Sequence, residues 1–265
     1  MVAAYRARAT ARQNAICADR WADALAGEEG HTIARTYDGV YPHMELWVAV
    51  RTAFIDARVR TSDCAQVVLL GAGFDTRAAR LAREGVSFFE VDHPDTQREK
   101  RARLGTLAGY PIEAATYVSC DFEREDFLER LRAAGFSPEA SALFIWEGVT
   151  PYLTETAVRS TLHKLANETH PQSIVVFDHL RRKIVAGQVR DPKDLESRAF
   201  VEDLGEPLRF GIDYPLPLLY EEGFRRVRSL TFDELCLDAT GTYERERAFR
   251  FQGVVVASRA ASIAV

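Results

Sequence analysis

Two glycines one residue apart, and an acid about 20 residues beyond them, are the chemistry-bearing features of this chain. Gly71-Ala72-Gly73 follows the apolar run Val67-Val68-Leu69-Leu70, and Asp92 ends the run Phe88-Phe89-Glu90-Val91. Glycine has no Cβ, so its backbone can pass close to a ligand and take dihedrals that other residues avoid. A helix that starts just after such a turn offers unpaired N–H groups to polar ligand atoms. A carboxylate at Asp92 can accept from both hydroxyls of a ribose diol. A lone glycine reads as a tight turn. Strand, glycine turn, helix, strand and terminal acid in this order point to a nucleotide or nucleoside site.

The choice of cofactor rests on what is missing. A dinucleotide fingerprint carries a third glycine, where this chain has Thr76. Asp75 stands at the helix start, where its charge would repel a pyrophosphate but suit the amino group of a methionine moiety. This favours S-adenosylmethionine over NAD or FAD. Asp75 also reads as a helix cap.

Four successive predicted strands end in an acid: Asp92, Asp121, Glu147 and Asp178. Parallel strands place their C-terminal ends on one edge, so the carboxylates gather at one rim. Each also has a plain reading as a cap for the next helix, and for Asp178 that reading is preferred. His179 follows the fifth strand, and histidine titrates near neutrality. It is the candidate general base for a hydroxyl acceptor, with His31, Tyr37, Tyr41 and His43 as weaker candidates. A loop histidine held by hydrogen bonds is the competing reading.

The elements that must position these residues alternate. Strands are predicted at 66–70, 87–91, 115–119, 142–146 and 173–177, with helices at 76–84, 95–107, 123–133 and 154–168 between them. Ahead of them lies a helical cover over residues 1–62: helices at 3–26 and 31–38, broken by Gly27 and Gly30, and a longer one at 44–59. Residues 181–212 read as a helical lid insertion, rich in arginine and lysine. A helix at 214–222 ends at Gly223, and strands at 224–232 and 248–258 follow without a helix between them. That direct run predicts an antiparallel pair at the sheet end, with a bend or bulge at Gly253. The whole reads as one α/β domain over 1–265.

Composition sets the outer bounds. The 265 residues are 47% hydrophobic, with a formal charge of −5 and pI near 5.8. An acidic chain without a concentrated basic face argues against nucleic acid as partner. No apolar run approaches a membrane span, and the N-terminus lacks the apolar stretch of a signal peptide. Cys17, Cys64, Cys120 and Cys236 are scattered, so neither a metal site nor a disulfide framework is expected. The chain reads as a reduced, cytoplasmic protein.

Several stretches resemble the leucine carboxyl methyltransferase family, in its bacterial branch of polyketide and other natural-product O-methyltransferases. They are Tyr5-Arg6-Ala7 with Asp19-Arg20-Trp21-Ala22, Arg51-Thr52-Ala53-Phe54-Ile55-Asp56, Leu70 through Arg77, Phe89-Glu90-Val91-Asp92 and Trp146 through Leu153. The resemblance implies a Rossmann-like class I methyltransferase fold, with a seven-stranded, mostly parallel sheet whose last strand is reversed. It implies S-adenosylmethionine as cofactor and S-adenosylhomocysteine as product. By motif, Arg51 would meet the cofactor carboxylate, and Gly71, Ala72, Gly73 and Asp75 would line the methionine part. Asp92 would hold the ribose, and Asp121 and Phe122 would frame the adenine. Glu147 would contact the methionine amino group, and Tyr152 would sit near the methyl donor, joining His179 as a catalytic candidate. The expected activity is O-methylation of a carboxylate or hydroxyl on a small molecule of secondary metabolism, an acidic acceptor being among those expected and a homodimer allowed. The alternatives are a protein C-terminal carboxyl methyltransferase, a protein that binds the cofactor without methylating, and, less favoured, an NAD-dependent oxidoreductase.

Overall fold

In the computed structural model, residues 1–122, 124–242 and 251–260 are described. One sheet is built from β1 (Gln66–Leu70), β2 (Ser87–Asp92), β3 (Thr116–Ser119), β4 (Ala142–Trp146), β5 (Ile174–Leu180), β6 (Arg226–Thr231) and β7 (Gln252–Ser258). Their order is β3-β2-β1-β4-β5-β7-β6. Neighbours among β1 to β5 are parallel, with Val68 facing Phe89 on one side and Phe144 on the other. β7 is antiparallel to both β5 and β6. Every residue of β1 and β4 is buried, which is why their sequences are unbroken apolar runs: central parallel strands carry helices on both faces.

Side chains alternate between those faces. Val67, Leu69, Leu143, Ile145 and Val176 pack toward α3 (Met44–Thr61), whose Trp47, Val50 and Ile55 are buried. Val68, Leu70, Phe144, Trp146 and Phe177 pack toward α6 (Phe127–Ala133) and α7 (Glu155–Asn167). The helices after β1 and β2 are α4 (Arg77–Leu81) and α5 (Pro94–Leu104), both shorter than their sequence suggests. α6 likewise starts later than expected, and Glu123 lies outside the described residues.

The N-terminal cover differs from its expected outline. α1 (Val2–Thr10) stops early, because Asp19 folds back to pair with Arg6 at 2.9 Å and its amide donates to Thr10 Oγ1 at 2.9 Å. α2 (Ala22–Val40) runs through Gly30 and Gly39 and breaks only at Gly27, where φ is 59°. The lid holds α8 (Arg182–Val185) and α9 (Pro192–Asp203), and α10 (Pro215–Glu222) ends on Gly223 as expected.

Three further expectations are corrected near the sheet end. α11 (Phe232–Thr240) stands between β6 and β7, opened by a reciprocal cap between Thr231 and Glu234, so the last two strands do not run directly into each other. β7 pairs continuously through Gly253, with no bulge; a Cβ there would lie 2.8 Å from His179 Nε2, which is why glycine is needed. The expected start of β7 at Ala248 lies outside the described residues. β5 extends two residues past Asp178, so both Asp178 and His179 are strand residues. Among the described residues, no helix is long and apolar enough to cross a membrane.

Candidate active site

The glycine turn is tied down from both sides. Gly71 and Ala72 donate to the Val91 carbonyl at 2.8 and 3.1 Å, which extends the β1–β2 pairing into the turn. Gly71 has φ 67°, and a Cβ there would clash with the Val149 side chain. Gly73 has φ 46° and nothing within 4 Å of where a Cβ would stand, so its backbone faces open space. Its amide donates to Asp92 Oδ2 at 2.5 Å, and the His93 amide donates to Oδ1 at 2.7 Å. The two amides fix the Asp92 carboxylate and leave lone pairs on both oxygens. Burial holds its pKa above the ordinary range despite them.

A cavity of about 710 Å³ opens above this turn. Arg51, Gly71, Ala72, Gly73, Asp75, Asp92, Asp121, Phe122, Glu147 and Tyr152 all line it. The parallel strands thus bring Asp92, Asp121 and Glu147 to one rim. A second cavity, of about 790 Å³, lies at the other sheet edge between α3 and α11 and holds none of these residues.

His179 does not reach the site cavity. Its ring is buried, packs against Gly253 and has no hydrogen-bond partner on either nitrogen among the described residues. Burial lowers its pKa, which keeps the imidazole neutral. A side chain on β5 at this point alternates away from Asp178, and Asp178 is the residue facing Arg51. The expected base is therefore displaced by the strand's own period.

Charged residues form a continuous chain beneath the cavity. Arg51 pairs with Glu147 at 2.9 Å and with Asp178. Arg77 bonds Glu147 at 2.6 Å, Asp56 at 2.7 Å and Asp75. Arg80 bonds Asp56 at 2.5 Å and lies 3.7 Å from Asp19, which holds Arg6. Arg6 closes the chain by donating to the Phe74 carbonyl at 2.5 Å, next to Gly73. Burial alone would raise the pKa values of Asp75 and Glu147. The arginines outweigh it, bringing Asp75 to about 2 and Glu147 below its ordinary range. The same carboxylates hold Arg51 and Arg77 protonated against burial.

Sequence reasoning missed most of this chain. Arg77, Asp56 and Arg6 stood inside stretches already singled out, yet nothing local showed that they converge. Asp178 was read as a helix cap, but it accepts from Arg51 and from the Gly148 amide at 2.6 Å.

The roof of the cavity comes from the cover and the lid. Met1, Val2, Glu29 and Ile33 line it from α1 and α2, and Leu204 and Glu206 from the residues after α9. α2 and α9 are joined by a hydrogen bond of 2.6 Å between Tyr37 and Ser197, and by Tyr37 packing on Phe200 at 4.9 Å. The Arg209 and Phe210 amides donate to the Pro151 carbonyl at 2.7 and 3.1 Å, which ties the lid to the turn carrying Tyr152. Burial raises the Tyr152 phenol pKa, so it stays protonated.

Comparisons with known proteins bear on the family and the fold. Residues 1–166 match the leucine carboxyl methyltransferase family. A stretch of 226 residues is 33% identical to a candidate S-adenosyl-L-methionine-dependent methyltransferase of Saccharopolyspora erythraea, covering 78% of this chain and 77% of that one. The fold is shared with a DUF574 family protein from Streptomyces avermitilis at TM-score 0.66 and 13% identity, over 98% of this chain and 97% of that one. It is also shared with a candidate methyltransferase from Thermobifida fusca at TM-score 0.62 and 14% identity, over 90% of this chain and 93% of that one. The chain belongs to the leucine carboxyl methyltransferase family, and so is an S-adenosylmethionine-dependent methyltransferase.

Proposed function

We propose that this methyltransferase is an O-methyltransferase acting on a carboxylate or hydroxyl of a small molecule of secondary metabolism. The observation that carries the reading is one cavity running from the glycine turn and Asp92 to a chamber roofed by cover and lid. The Tyr37–Ser197 bond ties α2 to α9, and a chamber roofed by cover and lid suits a small acceptor better than a protein terminus.

The residues present fit the cofactor. Gly73 leaves open space beside the turn, and Asp92 keeps lone pairs for a ribose diol. Phe122 and Asp121 suit the face and exocyclic amine of adenine. Glu147 keeps acceptor capacity for the methionine ammonium. Arg51 is already shared between two carboxylates. Arg6 engages Asp19 through Nε and the Phe74 carbonyl through Nη2, so its Nη1 supplements Arg51 toward the methionine carboxylate.

Bound S-adenosylmethionine supplies a methyl group already activated on a sulfonium. In-line transfer to an acceptor oxygen would exchange the carbon–sulfur bond for an oxygen–carbon bond and leave S-adenosylhomocysteine. Holding the two partners together supplies most of the acceleration. The ion-pair chain performs that task by fixing the glycine turn and the Glu147-Gly148 turn. A carboxylate acceptor is ionised at neutral pH and needs no base; a hydroxyl acceptor must also lose a proton.

The test is incubation with methyl-labelled S-adenosylmethionine and pooled small acids, phenols and alcohols. Label in a small product supports the reading, and mild alkali separates esters from ethers. Label on an added carboxyl-terminal leucine peptide, and on no small molecule, would replace it with the protein carboxyl methyltransferase reading.

A further inference from the structure

The glycine turn has a support that the ion-pair chain does not supply. Its first half is held by β2: the Gly71 and Ala72 amides reach the Val91 carbonyl, and the Gly73 amide reaches Asp92. Its second half is held from α5. Lys100 Nζ donates to the Asp75 carbonyl at 2.6 Å and to Glu90 Oε2 at 2.6 Å. The buried residues of α5 are Gln97, Lys100 and Leu104, whose three- and four-residue spacing puts them on one face. Gln97 Nε2 donates to the Glu90 carbonyl at 3.3 Å, so the helix is fixed on the same residue that Lys100 pairs with.

Stability alone does not account for a lysine here. Lys100 is 2% exposed and Glu90 1%. Taking such a pair out of water costs about as much as its attraction supplies, and well-packed apolar residues of similar size often serve a fold equally well. Nor is the pair fully satisfied: Glu90 Oε1 has no hydrogen-bond partner among the described residues. What an apolar side chain in place of Lys100 could not do is hold the Asp75 carbonyl. Asp75 is pinned at both ends, its carbonyl by Lys100 and its carboxylate by the Arg77 amide at 2.6 Å and the Arg77 guanidinium. Gly73, Phe74 and Asp75 line the cavity along this half of the turn. The Asp92 carboxylate, assigned to the ribose, is fixed separately by the Gly73 and His93 amides.

We propose that Lys100 is a positioning residue for the amino-acid half of the methyl donor. It acts through the backbone of Asp75, setting the stretch from Gly73 to Asp75 against the methionine part, while Asp92 serves the nucleoside independently. The inference rests on the methyl donor occupying this cavity and holds whatever the acceptor is.

The test titrates the full chain calorimetrically with S-adenosylhomocysteine and with methylthioadenosine, which keeps the nucleoside and lacks the amino-acid part. In Lys100→Met/Glu90→Leu an apolar pair replaces the buried ions and neither charge is left unpaired. S-adenosylhomocysteine is expected to bind this variant about tenfold more weakly, the value of one hydrogen bond from a charged group. Methylthioadenosine should stay within about twofold of wild type. Lys100→Gln is expected to show the same split, to a smaller degree. Glu90→Gln keeps the contact between Lys100 and Asp75 and should leave both ligands within about twofold. A pair that only held the fold together would move the two ligands alike. Unchanged S-adenosylhomocysteine affinity in the Lys100 variants, an equal loss of both ligands, or a loss in Glu90→Gln as large as in the double variant would overturn the proposal. No binding of either ligand to wild type would overturn it together with the assignment of the cavity to the methyl donor.

Discussion

Asp178 stands between Arg51 and Gly148: Oδ2 accepts from the buried guanidinium, and Oδ1 accepts the Gly148 amide at 2.6 Å. One carboxylate thus positions both the cation at the cavity wall and the turn after β4. Asp178→Ala leaves Arg51 half paired and the amide unpartnered. It should cost about 3–5 kcal/mol in stability, as removing one partner of a buried ion pair does, and weaken S-adenosylhomocysteine roughly tenfold. Asp178→Asn keeps an acceptor for the amide and should lose less of both. Urea unfolding and calorimetry measure the pair of effects; an alanine variant unchanged in both would remove Asp178 from this role.

The roof is expected to act on the acceptor and not on the cofactor. Phe200→Ala removes the ring packed 4.9 Å from Tyr37 and loosens α9 from α2. Acceptor KM should rise roughly three- to tenfold, the value of one aromatic contact, while the Kd for S-adenosylhomocysteine stays within about twofold. Steady-state kinetics beside a cofactor titration reads the split. A loss confined to cofactor affinity would mean that the lid serves the other half of the cavity.

His179→Gln should leave the pH profile of methyl transfer unaltered. The ring lies outside the cavity, between β5 and Gly253, and is already neutral. The variant should lose about 1–2 kcal/mol in stability, because glutamine must repack a tight buried site. A profile that loses its limb near neutrality would return His179 to the chemistry.

Beneath the glycine turn, Lys100 bonds Glu90 at 2.6 Å and the Asp75 carbonyl at 2.6 Å. Burial pushes the Glu90 carboxyl up to about 7, with Lys100 opposing it. An acid with a raised folded pKa binds more protons folded than unfolded, so its contribution to stability declines as pH rises from the ordinary carboxylate range toward 7. The stability of wild type relative to Glu90→Gln should therefore fall over that window. Thermal unfolding of both across pH 4.5–7 checks it; a difference that rises through the window would contradict the assignment.

What could be read from sequence follows from how local the physics is. β1 and β4 were legible to the residue because strands buried on both faces leave unbroken apolar runs. Gly71, Gly73 and Asp92 were legible because strand, turn and acid lie close in sequence. α11 was not: the run from Phe224 to Phe232 hid the point where strand becomes helix, although the Thr231 and Glu234 cap was there to find. Nor were the partners of Arg51, since Asp178 is 127 residues away and only the sheet brings them together. His179 was misplaced by one strand turn's worth of length: with β5 ending at Leu180, alternation sends Asp178 to the site and His179 behind it.

The most direct test of the central claim is calorimetric titration of the full chain with S-adenosylhomocysteine, beside Asp92→Ala and with NAD as control. Binding to wild type, loss of about 100-fold or more in Asp92→Ala, and no heat with NAD are the predicted results. Equal affinity in Asp92→Ala, or binding of NAD in place of the nucleoside, would contradict the assignment of this cavity to the methyl donor.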